Sequence, residues 1–268
     1  MRSAIRTHPG RRGGQNEDST GSDEAAGLWF VADGMGGHAS GDVASRIVKE
    51  TLLASAAAPL DEAVREAHKA VATAAAAANS NMGSTVVAAH VAEREARIVW
   101  VGDSRCYLWR GDALRQVTRD HSFLELLREQ EQLSDTQMRG HPNKNLVTQT
   151  LGIGTPEPSV LDLPLRTGDW LLLCSDGLND ELEDQEIATI LRTHAQLEAA
   201  ADELIAQALA KGGKDNVSVV LVEYAGPNGV SFLQPLQEQA RPWLPVILGV
   251  LAALAAATLW LVFRGVSG

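Results

Sequence analysis

The chain has 268 residues, a formal charge of −11 from 23 Lys and Arg against 34 Asp and Glu, 45% hydrophobic residues and two cysteines. This is the composition of a globular protein, long enough for one large domain or two small ones. It excludes a disulfide framework, because Cys106 and Cys174 stand in neither redox nor metal-knuckle spacing, and an acidic chain without a Lys/Arg block disfavours nucleic acid as a partner.

Residues 1–14 carry Arg2, Arg6, Arg11 and Arg12 and no apolar stretch, so they are not expected to act as a secretory signal. The apolar run Leu28 to Ala32 predicts a buried strand that stops at Asp33-Gly34. Ser40 is expected to cap a helix over 41–57 and Asp61 a second over 62–78, with the run Ala74 to Ala78 packed on a sheet. Strands follow over 83–91, 97–101, 106–110 and 114–117, the last two joined by the turn Gly111-Asp112. Short helical pieces are predicted over 123–130 and 135–139, a buried strand over 170–174, helices over 183–192 and 196–211, and a closing strand over 217–223. Hairpin strands alternating with helix pairs argue for an α+β fold with antiparallel sheets covered by helices, not a doubly wound parallel sheet.

The domain is therefore expected over 1–225, followed by a Gly- and Pro-containing tether over 226–242. Residues 243–263 carry no charge and are bounded by Arg241 and Arg264. At 1.5 Å per residue they would span about 31 Å, close to the thickness of a hydrocarbon core. Trp243 and Trp260 suit the two interfaces, and Pro245 fits a first helical turn. A single transmembrane helix is expected here, with a short tail over 264–268.

The carboxylates distinguish the domain further. Asp33, Asp103, Asp176 and Asp215 each fall at the end of an apolar strand or just before one. Carboxylates gathered at strand ends repel unless a cation neutralises them, and oxygen ligands without His or Cys favour Mg²⁺ or Mn²⁺ over Zn²⁺.

In order along the chain stand Asn16-Glu17-Asp18-Ser19, Asp33-Gly34-Met35-Gly36-Gly37-His38, Gly83-Ser84-Thr85, Val101-Gly102-Asp103-Ser104-Arg105, Thr118-Arg119-Asp120-His121-Ser122, Leu151-Gly152, Ser175-Asp176-Gly177-Leu178 and Lys214-Asp215-Asn216-Val217-Ser218. This series resembles the bacterial form of the metal-dependent type 2C serine/threonine protein phosphatases, the PPM family, over nearly all of residues 5–224. The resemblance implies a four-layer α-β-β-α sandwich of two antiparallel sheets flanked by helix pairs. It also implies two divalent cations, Mn²⁺ or Mg²⁺, sharing a water or hydroxide that attacks phosphorus without a phospho-enzyme.

By the same resemblance Asp33, Asp176 and Asp215 are the catalytic carboxylates and, with the Gly34 carbonyl, the metal ligands. Asp120 would join Asp176 at a third, weaker metal. Glu17 and Asp18 would hold metal-bound waters, and Asn216 would buttress Asp215. Asp103-Ser104-Arg105 is read as structural, with Arg105 pairing Asp103. Residues 121–150 correspond to the flap beside the site, to which substrate selectivity is ascribed.

Two positions depart from the pattern. Gly13 stands where the family has a phosphate-binding Arg, so Arg12 is expected to take that role. Met35 replaces the His of eukaryotic relatives, leaving His38 as the nearest candidate general acid. The expected activity is hydrolysis of phosphoserine and phosphothreonine in proteins, opposing a bacterial Ser/Thr kinase, from a single-pass anchor in the cytoplasmic membrane with the catalytic domain in the cytoplasm. The alternatives are a catalytically weak phosphoprotein-binding scaffold or sensor, and the same fold acting on small phosphate esters.

Overall fold

The computed structural model describes residues 1–36, 40–131, 141, 143 and 146–226. One sheet holds β2 (Asp18–Asp23), β3 (Leu28–Met35), β5 (Val86–Ala92), β6 (Glu95–Val101) and β9 (Ser159–Pro164) in that order, with the short β4 (Gly83–Ser84) pairing the end of β3. The other runs β1 (Arg2–His8), β11 (Val217–Glu223), β10 (Trp170–Cys174), β7 (Arg105–Arg110) and β8 (Ala113–Gln116). Every described strand pairing is antiparallel.

The period of two along each strand sorts side chains into three apolar layers. Trp29 and Val31 of β3 point between the sheets, where they meet Ile98, Trp100, Leu108, Leu171, Leu173 and Val220. Phe30 and Ala32 point the other way, onto α1 (Gly41–Ala54) and α2 (Leu60–Ala78) through Val48, Leu52, Val64 and Val71. The outer face of the second sheet, with Tyr107, Trp170, Leu172, Val219 and Leu221, is covered by Leu178, Ile187, Leu191 and Leu204. These belong to the one-turn α4 (Asp176–Asn179), α5 (Asp184–Thr193) and α6 (Leu197–Lys211); α3 (Phe123–Glu131) follows β8. The described residues thus form the α-β-β-α layers that the resemblance implies. Strands buried on both faces read as unbroken apolar runs, which is why β3, β10 and β11 stood out in the sequence.

Several elements differ from expectation. The first helix ends at Ala54, and Ser40 is helical in backbone with no side-chain cap. The second starts at Leu60 after Pro59, whose φ of −54° suits a helix entrance; Asp61 sits in the first turn and bonds Arg65 instead of capping. Of the run Ala74 to Ala78 only Ala75 is buried, and the helix stops at Asn79 in the left-handed region. The predicted strand 83–91 breaks at Thr85, whose N–H and hydroxyl bond the backbone of Asp33 instead of continuing a ladder. Strands β1, β2 and β9 carried no readable apolar signal.

No described helix is long and apolar enough to cross a membrane. The predicted transmembrane helix over 243–263, the tether beyond Gly226 and the helical piece over 135–139 lie outside the described residues.

Leu173 is wholly buried between the sheets. Leu173→Ala should cost about 2–5 kcal/mol, read as a lower urea midpoint with unchanged slope.

Candidate active site

The strands bring their carboxylates to one end of the sandwich. Asp18 and Asp33 stand directly opposite each other in the β2–β3 ladder, at the start of one strand and near the end of the other. Asp176 opens α4 one residue beyond Ser175, and Asp215 precedes β11. Close backbone approach here depends on glycine. A Cβ on Gly34 would overlap the carbonyl oxygen of Gly41, and one on Gly177 that of Asn216.

Small hydroxyls hold the acidic groups in place. Ser175 donates to Asp18 Oδ2 at 2.8 Å and accepts the Ser218 N–H at 3.0 Å. Thr85 N–H and Ser84 Oγ both donate to the Asp33 carbonyl, at 2.8 and 3.0 Å, while Asp33 N–H donates to Thr85 Oγ1 at 3.2 Å. Asn216 clamps three segments. Its Oδ1 accepts the Glu17 N–H at 2.7 Å, its Nδ2 donates to the Pro9 carbonyl at 3.1 Å, and its own N–H bonds Asp215 Oδ1 at 2.8 Å.

Burial and repulsion dominate the electrostatics. Desolvation, then the charges of Asp18, Asp176, Asp103 and Asp215, hold the Asp33 carboxyl well above the usual range. Asp176 is raised in the same way, by desolvation and then Asp103 and Asp215. Desolvation pushes Asp18 up to about 6 against its serine hydrogen bonds, and Asp103 up to about 7 with the charge of Asp120 adding to it. Glu17 is raised by desolvation, Asp42 and Asp215. Asp18 Oδ1, Asp42 Oδ1 and Asp176 Oδ1 are buried without a hydrogen-bond partner among the described residues.

As the side chains stand, no three described His, Cys, Asp or Glu converge as a metal-holding group. Unbonded, mutually repelling oxygens with no soft donor are nevertheless the donor set that a hard divalent cation satisfies, so the residues present fit one.

Two expectations need correction. Asp120 does not face Asp176: both its oxygens are taken by Arg105, with Nη2 2.7 Å from Oδ2 and Nε 3.0 Å from each, and Gln116 adds a bond at 3.1 Å. Arg105 accordingly pairs Asp120 and not Asp103, because β7 carries its side chain toward the outer face beside Tyr107. Among the carboxylates whose charges raise Asp176, Asp103 weighs most, ahead of Asp215, Asp180 and Asp18. Asp42 was also missed in the sequence; it sits in the first turn of α1 beside Glu17 and takes a 2.6 Å bond from Gln15.

Arg12 is exposed on the loop that follows Pro9 and makes no ion pair among the described residues; its neighbour Arg11 donates its N–H to the Gly213 carbonyl at 2.7 Å, on the segment leading to Asp215. His38 lies outside the described residues. In the flap region, Leu124 is buried, while Leu126 and Leu146 are exposed. A groove of about 1040 Å³ between the α1–α2 connection and the β5–β6 turn lies at the other end of the sandwich and contains none of these carboxylates.

The family model described as protein phosphatase 2C matches residues 7–212. The chain belongs to the protein phosphatase 2C family. Among its phosphatase 2C relatives, the serine/threonine phosphatase stp of Listeria innocua is 36% identical over 241 residues, 83% of this chain and 96% of the relative. The crystal structure of the Mycobacterium tuberculosis serine/threonine phosphatase PstP/Ppp superposes with a TM-score of 0.78 at 36% identity, covering 83% of this chain and 97% of that one. A PstP catalytic domain in complex with two manganese ions superposes with a TM-score of 0.76 at 34% identity, covering 83% and 97%.

The raised carboxylates make a pH prediction. Asp18 and Asp103 have folded values of about 6 and 7 against 3.8 ordinarily, so the folded state binds protons more tightly than the unfolded one. Their contribution to stability is complete below the ordinary value and is lost as pH rises through the folded values. Asp162 and Asp202, held low by hydrogen bonds from Arg97 and Arg6, are ionised throughout and add no slope. In chelator, the Tm should therefore fall from about pH 5 to about pH 8, Asp103→Asn should flatten the fall, and excess Mn²⁺ should raise Tm most at the alkaline end.

Proposed function

We propose that this phosphatase 2C chain hydrolyses phosphoserine and phosphothreonine in proteins, using Mn²⁺ or Mg²⁺. The observation that carries the reading is the group of repelling carboxylates Asp18, Asp33, Asp103 and Asp176, with unbonded buried oxygens, at one end of the sheets. Asp33, the Gly34 carbonyl, Asp176 and Asp215 would hold two cations, and Asp103 takes over from Asp120 beside Asp176 for a third. When bound, the cations polarise the phosphoryl oxygens and lower the pKa of the attacking water.

The chain's own residues do the rest. Ser84 and Thr85 fix the Asp33 backbone, so its carboxylate has little freedom to recoil from its neighbours. Asp18, oriented by Ser175, and Glu17 accept hydrogen bonds from water at the site. Arg12 reaches from its exposed loop to fork the phosphate dianion. His38 passes a proton to the leaving alkoxide.

The membrane anchor over 243–263 belongs to this proposal and rests on its length, uncharged composition and interfacial tryptophans. Tethering would concentrate the domain near membrane-bound substrates and an opposing Ser/Thr kinase, with the domain in the cytoplasm where such substrates occur. Gly13 in the family's arginine position motivates the rival reading, a catalytically weak scaffold or sensor.

Full-length chain should hydrolyse a phosphothreonine peptide with Mn²⁺ and not with chelator, and faster than a free small phosphate ester. Asp176→Asn should lower kcat at least about a hundredfold, and Arg12→Ala should raise KM about tenfold with kcat nearly unchanged. A folded chain that binds Mn²⁺ without turnover would establish the scaffold instead. Protease added to intact cells should leave the catalytic domain uncut; cleavage would reverse the orientation.

A further inference from the structure

His121 opens the flap and is bonded to the loop that carries Asp103. Its N–H donates to the Gly102 carbonyl at 2.9 Å, and the Gly102 N–H returns a bond to His121 Nδ1 at 3.3 Å. Because Nδ1 accepts, the ring proton of the neutral imidazole sits on Nε2, which donates to Ser159 Oγ at 2.9 Å. The ring stacks on Trp100 at 6.1 Å, and the Trp100 indole N–H bonds the Arg119 carbonyl at 2.7 Å. The His121 carbonyl accepts the Thr148 N–H at 2.8 Å, so both arms of the flap meet at this residue.

Gly102 has little freedom on its other side. At φ +105° it occupies the glycine region, and a Cβ there would press on Thr85 at 2.6 Å. Thr85 Oγ1 lies 2.7 Å from Ser104 Oγ, and it is the hydroxyl that receives the Asp33 N–H. The loop 101–104 is thus gripped by His121 on one flank and Thr85 on the other, with Asp103 between them.

We propose that His121 is a positioning residue that acts through Gly102: it sets Asp103 against Asp176 and joins the flap's two arms to that loop. Trp100 and Ser159 orient its ring, and the imidazole itself touches neither substrate nor cation. This rests on the metal-phosphatase reading for the role of Asp103; the hydrogen-bond linkage stands without it.

Three readouts test the assignment in the full chain: amide exchange in chelator, Mn²⁺ binding followed by the EPR signal of the free ion, and steady-state kinetics. His121→Ala should speed exchange at Gly102 about tenfold, the loss of roughly one hydrogen bond, and leave Thr148, bonded to the main-chain carbonyl, less affected. It should also raise the Mn²⁺ concentration that fills the weakest site about tenfold, while kcat at saturating Mn²⁺ stays within about threefold. His121→Asn, whose Oδ1 can still accept the Gly102 N–H, should recover most of both losses. Unchanged exchange and Mn²⁺ binding, equal damage in the Asn variant, or a kcat loss that Mn²⁺ does not repair would each overturn the proposal. If His121→Ala does not fold, Ser159→Ala decides: faster Gly102 exchange supports the linkage, and no change overturns it. Wild-type chain that neither binds Mn²⁺ nor turns over would sink the phosphatase reading alone, since exchange at Gly102 still tests His121.

Discussion

Repulsion among carboxylates that cannot leave is the constraint around which this molecule is organised. Asp18 and Asp33 face each other across one ladder, and the charge of Asp103 opposes the ionisation of Asp176. A flexible chain would relieve that strain by splaying its loops into water. Here the strand ends are fixed by a slab of interlocked side chains, among them Trp29, Trp100, Leu108 and Leu171, whose burial supplies the free energy that the acidic end consumes. The apolar interior and the polar end are therefore one design, in which the former keeps the latter in a state that favours a cation.

Between slab and site lies a band of small buried hydroxyls: Ser84, Thr85, Ser104, Ser175 and Ser218. Each is short enough to let two backbones approach, and Ser84, Thr85 and Ser175 bond main-chain groups of neighbouring segments. Larger residues would push the strand ends apart, and alanines would leave buried N–H and carboxylate groups unsatisfied at about 1–3 kcal/mol each. These hydroxyls convert the position of the sheets into the orientation of the carboxylates. The glycines at 34 and 177 serve the same end by removing side chains where backbones touch.

Legibility from sequence followed burial. Strands β3, β10 and β11 were readable because both faces are covered, which forces unbroken apolar runs. Strand β2, Asp18-Ser-Thr-Gly-Ser-Asp23, has no large apolar residue, and it is a strand only because β3 pairs with it; Gly21 leaves room for the Phe30 ring. Strands β1 and β9 occupy sheet edges, where pairing on one side needs less apolar material. At the site, Asp33, Asp176 and Asp215 were legible as motif residues at strand ends. The partnership of Arg105 was not, because Asp103 and Asp120 both lie near it and only the direction of the β7 side chain decides for Asp120. Asp103, legible as one of the strand-end carboxylates but read as structural, contributes the largest charge effect on Asp176. Asp42 offered no signal beyond being an ordinary acidic residue in a first helical turn.

Strand β11 begins beside Asp215 and Asn216 and runs seven residues, about 23 Å, to the opposite end of the sandwich. There Tyr224 bonds the Glu93 carbonyl, and Gly226 leaves against Thr167. A reporter, affinity tag or solid support joined after this point is attached a full strand length from the chemistry. Such attachment leaves the mouth at Asp215 open to bulky polymers, so the domain can be displayed or immobilised through its C-terminal side without shielding the face it works with.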